Sequence, residues 1–251
     1  MLTLRRLGAA LFVPTALWLS ACSDTGAPQS AEDAQVTLDV AQYAADATVD
    51  DIVMMTDGSA PAFTGPQDGP PFGSDLTFTR EVTYYDADGA EMTSYDPDST
   101  ESIHFVMSLE GSWDRTGMRG TISMTVSRSR DFTVTGLFGA ETQRTWNGTG
   151  NAANNRIVYN DQLGDRTYDF SATTTVADVV IPVPRTADSW PLSGTITRDV
   201  TVQVVTGLGD TRTRERTVVV TFNGTQFVPI TINGIEYTLD LATREITESV
   251  G

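Results

Sequence analysis

The chain has 251 residues and a formal charge of -17 at pH 7, with 33 acidic side chains against 16 lysines and arginines. That balance repels polyanions and argues against nucleic-acid binding, which needs a basic face for phosphates. All 16 are arginine, so no lysine is present for Schiff-base chemistry or a nucleotide-binding P-loop.

The N-terminus reads MLTLRRLGAALFVPTALWLSAC. Arg5 and Arg6 precede a run from Leu7 to Leu19 that is apolar apart from Thr15. A basic segment followed by a short apolar one is an export signal, too short for a membrane-spanning helix. The run ends in Leu19-Ser20-Ala21-Cys22, an aliphatic residue, two small ones and a cysteine. This resembles the lipobox of bacterial lipoproteins, over residues 1–22 only. The resemblance implies cleavage between Ala21 and Cys22 and transfer of a diacylglyceryl group to the Cys22 thiol, with acylation of the new amino terminus. Each buried methylene contributes about 0.8 kcal/mol, and two or more acyl chains hold stably where one does not. The alternative is an ordinary secretory signal with an incidental cysteine. Cys22 is the single cysteine, so an intramolecular disulfide is ruled out. Ser23 in place of aspartate points, by analogy with enterobacterial sorting, to the outer membrane of the bacterial cell envelope.

After the signal peptide of residues 1–21, residues 22–37 read as a flexible acidic tether. An alanine-rich segment with Val40, Tyr43, Ala44, Ala47, Ile52 and Met55 at helical spacing predicts a helix over about 38–56. Residues 57–75, "DGSAPAFTGPQDGPPFGSD", are rich in glycine and proline and form a linker, so 38–75 is a helix plus linker. A helix between two linkers has nowhere to bury its apolar side, so it is expected to dock on the strands C-terminal to it.

From residue 76 to 251 the pattern has period two, the mark of an antiparallel β domain. Ile103, Phe105, Met107 and Leu109 share a face, as do Ile122, Met124 and Val126, and Val200, Val202 and Val204. In "FVPITINGIEYTLDL" an Asn233-Gly234 turn of type I′ pairs Ile232 with Ile235, Ile230 with Tyr237 and Val228 with Leu239. Around "TGLGDT" an odd-length loop centred on Gly209 would pair Val200 with Val218 and Arg198 with Val220. The fold expected is mainly β: an antiparallel meander of about eight to ten strands, as a barrel or sandwich. A short signature recurs at Arg80-Glu81-Val82-Thr83, Arg130-Asp131-Phe132-Thr133 and Arg198-Asp199-Val200-Thr201. The last two copies also share Gly-Thr-Ile before, Thr-Gly-Leu after, and then Asn-Gly-Thr. Duplication of a hairpin and convergence of threonine-rich strands explain this equally well.

Chemistry-bearing residues are sparse. His104 is the only histidine and falls on the face opposite Phe105. Asp86, Asp88, Glu91, Asp96 and Asp98 crowd together, and Asp86, Asp88, Asp96 and Asp98 are weak calcium candidates. Their spacing departs from an EF-hand, and Asp88-Gly89 is more simply a hairpin turn. Asn147-Gly148-Thr149 and Asn223-Gly224-Thr225 fit the glycosylation pattern but read as turn chemistry. Arg212, Arg214 and Arg216 share a strand face, as an anion site or, more simply, as protection of a sheet edge. Trp113, Trp146, Trp190, Tyr84, Tyr85 and Tyr159 offer a glycan platform or a core. No catalytic residue, resident metal or cofactor is assigned.

The expectation is a lipid-anchored envelope protein, more a structural or binding protein than an enzyme. Its partners would be the membrane, through the anchor, and another envelope protein, a glycan or a hydrophobic ligand. The alternative is an envelope-anchored hydrolase or glycosidase using carboxylates such as Asp165, Asp169 or Asp178. A transmembrane β-barrel is disfavoured by the lipobox and by the polar second face of the strands.

Overall fold

The computed structural model describes residues 31–57, 75–117, 120–158, 166–186, 188–205 and 211–248. The signal peptide, Cys22, residues 23–30 and residues 58–74 of the linker lie outside the described residues. One helix, α1 (Ala31–Asp57), precedes eleven strands: β1 (Asp75–Asp86), β2 (Glu91–Met92), β3 (Thr100–Gly117), β4 (Gly120–Thr135), β5 (Gln143–Val158) and β6 (Arg166–Pro182). They continue with β7 (Ser193–Val205), β8 (Thr211–Thr221), β9 (Phe227–Ile232), β10 (Ile235–Asp240) and β11 (Ile246–Glu248).

The helix starts seven residues before the expected Leu38. Residues 31–37, read as tether, make its first two turns. Val36 and Thr37 are already buried. α1 is covered around most of its circumference. Val36, Val40, Ala41, Tyr43, Ala44, Ala45, Ala47, Ile52 and Met55 are all buried, while Leu38 and Val53 are its exposed large apolar residues. A helix apolar on nearly all sides belongs inside a fold.

The strands form one antiparallel sheet in the order β11-β10-β9-β8-β7-β6-β5-β4-β3-β1-β2. It is a meander apart from its first turn, where β2 folds back on the outer side of β1 and β3 pairs on the inner side. The sheet does not close on itself, and α1 occupies the place that a second sheet or the rest of a barrel would take. Its curvature follows from one carboxylate. Asp50 of α1 accepts from Arg128 Nη1 of β4 at 3.1 Å and from Arg244 Nη1, in the turn after β10, at 2.9 Å. β4 and β10 are six strand spacings apart, which in a flat sheet is about 29 Å. Two arginines meeting on one carboxylate require the sheet to curl around the helix, in the direction that strand twist favours.

The inner face carries the core. Ile103, Phe105 and Met107 of β3, Phe132 and Val134 of β4, Tyr168 and Phe170 of β6, and Val200, Val202 and Val204 of β7 are buried there with Trp146. Tyr43 of the helix stacks on Phe170 with ring centroids 4.7 Å apart, and Phe105 stacks on Trp146 at 5.7 Å. Trp146 is therefore core, while Tyr84 and Trp190 pack at its margin.

The β9–β10 hairpin forms in the expected register, Ile235 opposite Ile232, Tyr237 opposite Ile230 and Leu239 opposite Val228. Asn233 and Gly234 have φ of 48° and 83°, both in the left-handed region that a type I′ turn needs. The β7–β8 register differs from expectation by two residues. Val200 pairs with Arg216 and Arg198 with Val218, so the centre of the loop is Leu208, not Gly209. The loop is odd in length, running from 206 to 210. A shift of two keeps every side chain on its face, so the pattern of apolar residues could not distinguish the two registers. Residues 206–210, Gly209 among them, lie outside the described residues.

Candidate functional site

Two of the three repeated arginines end in the same place. Arg130 of β4 and Arg198 of β7 share the inward parity of Phe132 and Val200, and both reach Asp51 on α1. Arg130 Nε donates to Asp51 Oδ1 at 2.9 Å and its Nη2 to Oδ2 at 3.3 Å, while Arg198 Nη2 donates to Oδ2 at 2.5 Å. Arg198 Nη1 donates to Thr48 Oγ1, whose hydroxyl in turn donates to the Ala44 carbonyl one turn back. Arg130 Nη1 is shared between the Ser129 and Asn151 carbonyls. The side chains of Arg130, Asp51 and Arg198 are 6%, 5% and 1% exposed, so this triad is out of contact with bulk water. Burial holds the Arg198 guanidinium below its ordinary pKa, with the Asp51 carboxylate opposing it and Arg130 adding to it.

Room for Arg130 comes from Gly150 of β5. A Cβ there would lie 2.7 Å from both Arg130 Cδ and the Ser129 carbonyl oxygen. Two strand positions away, a Cβ on Gly148 would lie 2.7 Å from Phe132 Cδ1 and closer still to the Asp131 carbonyl oxygen. The small residues of β5 thus let the long residues of β4 lie across it, and the alanines of α1 let the helix approach.

A second tier, centred on the neighbouring Asp50, lies closer to solvent, the Asp50 side chain being 38% exposed. Asp50 joins Arg128 and Arg244, and Arg244 also approaches Asp46 at 4.0 Å. Arg128 loses some basicity to burial, but the Asp50 charge and hydrogen bond outweigh this and raise its pKa. Farther along, Tyr168 of β6 donates a short hydrogen bond to Asp39, and Gln42 donates to the Arg244 carbonyl. The helix is fastened to the sheet by charge and hydrogen bonds along most of its length. Between the helix and the β3–β4 pair the seam opens into a cleft of about 180 Å³ lined by Asp50, Asp51, Met54, Met107, Ser108, Leu109, Arg128 and Arg130.

The residues singled out from sequence lie elsewhere. His104 bonds Asp131 at 2.7 Å on the outer face, where the Asp131 side chain is 64% exposed, a screened surface pair contributing little. Asp86 Oδ1 accepts the Asp88 and Ala90 amides, and Asp96 Oδ1 accepts that of Asp98. These carboxylates cap their own turns, with Gly89 at φ 77° in the β1–β2 hairpin. Among the described residues no group of three or more acidic, histidine or cysteine side chains is arranged to hold a metal ion.

Asn223 makes the expected turn, accepting from the Thr225 amide and hydroxyl. Asn147 departs from it. It lies within β5 beside a bulge, exchanging two hydrogen bonds with Asp178, whose φ is 51° at the facing bulge of β6. The two Asn-Gly-Thr segments are therefore not equivalent, and the spacing from glycine to inward arginine also differs, ten residues from Gly120 to Arg130 against four from Gly194 to Arg198. Asp178 and Asp169 occupy one strand nine residues apart, about 30 Å along it, far beyond the 5–10 Å separation of a glycosidase pair. Asp169 accepts from Asn155, and Asp165 lies outside the described residues, as do the side chains of Trp113 and Tyr159.

Arg212, Arg214 and Arg216 pair with Val204, Val202 and Val200. Only residues 218–220 of β8 pair with β9, so these arginines stand where the second side of β8 lacks a strand. The Asn233 amide, at the hairpin tip, donates to the Thr217 carbonyl, and the Thr217 amide donates to the Asn233 side chain, closing the end of that open edge.

Among the described residues no helix is long and apolar enough to cross a membrane. No protein-family model matches the chain, nor does any curated protein or any solved structure.

Proposed function

We propose that the chain is a lipid-anchored bacterial cell-envelope protein, placed in the outer membrane, whose β domain binds a ligand or partner rather than carrying out a reaction. The observation that carries this reading is the position of α1. Only residues 23–30 separate the lipobox cysteine from Ala31, the first residue of a helix bonded into the sheet by Asp39, Asp50 and Asp51. Fully extended, so short a segment spans at most about 30 Å. Anchor, helix and sheet then act as one body held near the bilayer surface, with the cleft beside Arg128 on the element closest to the anchor.

Mass spectrometry of the mature N-terminus tests the anchor, with an acylated Cys22 as first residue expected. Cys22→Ser should move the protein from the membrane to the soluble fraction. An unmodified Cys22, or a Cys22→Ser protein that stays in the membrane fraction, would refute the reading.

A further inference from the structure

The seam carries four guanidiniums, those of Arg128, Arg130, Arg198 and Arg244, against the three carboxylates of Asp46, Asp50 and Asp51. With Asp39 the helix brings a fourth carboxylate to the sheet, so the two signs balance and the hydrogen bonds decide where an unmet donor lies. Both Asp51 oxygens serve Arg130 and Arg198, and the two Asp50 oxygens serve Arg128 and Arg244, so neither carboxylate is left to attract a cation. Arg128 bonds Asp50 through Nη1, while its buried Nε meets no acceptor among the described residues. The Nε–Nη2 edge is the side of a guanidinium that presents two parallel N–H groups, a match for the two oxygens of a carboxylate.

Arg128 lines the cleft, whose other walls include Met54, Met107 and Leu109. A buried N–H without an acceptor costs free energy, about 1–3 kcal/mol in general, so an oxyanion here would satisfy the orphan donor. The volume, about 180 Å³, falls below the ~300 Å³ at which pockets for drug-sized ligands begin. It suits a small molecule or the head of a longer one. Asp50 and Asp51 in the cleft wall disfavour a second negative charge, which selects a carboxylate over a phosphate dianion.

We propose that this cleft binds a monocarboxylate with a short apolar tail, its oxygens on the Nε–Nη2 edge of Arg128 and its tail against Met54, Met107 and Leu109. The inference rests on the ligand-binding reading above and names the ligand's chemistry. Met54 and Met107 supply flexible thioether walls that adapt to tails of differing shape.

The test is titration of the purified full chain with sodium hexanoate, 1-hexanol and inorganic phosphate at neutral pH, followed by calorimetry and by the Arg128 Nε–H resonance. Hexanoate is expected to shift that resonance and to bind at least about tenfold more tightly than either control. Arg128→Gln should weaken hexanoate binding by at least about tenfold. Leu109→Trp, which fills the cleft and leaves the Arg128–Asp50 bond in place, should do the same, and it serves alone if Arg128→Gln fails to fold. Hexanoate that leaves the resonance unmoved, or binds Leu109→Trp as well as the native chain, would overturn the proposal. Hexanol binding as tightly as hexanoate would overturn the carboxylate while leaving an apolar binding site, and phosphate binding as tightly would overturn the apolar tail. The anchor is read separately through Cys22 and is untouched by any of these results.

Discussion

Replacing Asp51 by asparagine isolates the buried triad. The carboxylate receives three hydrogen bonds from two guanidiniums that are 1% and 6% exposed. In Asp51→Asn one oxygen becomes an amide nitrogen whose protons point at guanidinium protons, and both cations lose their counter-charge. Removing one partner of a buried ion pair costs about 3–5 kcal/mol, because the remaining charge stays desolvated. Here two charges share the loss, which places the cost at the upper end of that range, against a total stability of about 5–15 kcal/mol for a domain. Urea unfolding followed by circular dichroism reads the difference as a lower midpoint at unchanged slope. The triple variant Asp51→Leu, Arg130→Met, Arg198→Met removes the charges together and should recover most of the loss, since apolar replacements of buried ion pairs are commonly neutral or stabilising. An Asp51→Asn cost below about 1 kcal/mol, or a triple variant less stable than the single one, would refute the electrostatic account.

Three further expectations rest on particular contacts. Gly150→Ala should cost about 1–3 kcal/mol in the same unfolding assay, because the new methyl meets a backbone carbonyl as well as Arg130; a neutral result would mean that β4 and β5 separate freely. Gly234→Ala places a side chain at φ 83° with open space around it. Its cost is conformational only, about 1 kcal/mol, and a much larger loss would show a packing role. Asp240 is held below the ordinary carboxylate pKa by the Gln226 side chain, against some desolvation, with help from the Ala242 and Thr243 amides. A depressed folded-state pKa gives stability that is present above the unfolded value of about 3.9 and lost as pH falls through the folded one. A carbon-detected NMR titration should find the Asp240 midpoint below that value and shifted upward in Gln226→Ala; no shift on removing Gln226 would contradict the assignment.

The β9–β10 hairpin was legible because its register is set locally, by a two-residue turn with two left-handed residues and matching alternation on either side. The β7–β8 hairpin was not, because a shift of two residues leaves every side chain on its own face and the alternation reads the same in both registers. A bond across 147 residues hid the site. Arg130 and Arg198 do carry a signal, since each occupies the inward parity of its strand, where a cation needs a buried partner. Asp51 carries the complementary one, standing at helical spacing from Ala44, Ala47, Thr48 and Met55 on the covered side of α1. No local rule joins the three, because helix and strands meet only once the sheet has curled. The acidic and Asn-Gly-Thr patterns were legible as turn chemistry because it is local, the Asp86 and Asn223 side chains serving the backbone of their own turns, whereas Asn147 serves a bulge on the neighbouring strand.

The bond between Asp50 and Arg244 spans 194 residues, and the one from Gln42 to the Arg244 carbonyl spans 202. Among the described residues the helix precedes every strand in chain order, yet its counter-charge Arg244 follows ten strands later. Contacts of such sequence separation make folding slow, because the chain closes a very long loop before the contact rewards it. Throughout that interval α1 carries Asp46, Asp50 and Asp51 without the arginines that pair with them, and Asp39 without Tyr168, like charges that disfavour association of an otherwise alanine-rich helix with its neighbours. The acidity that fastens the helix in the finished protein also guards it while it waits.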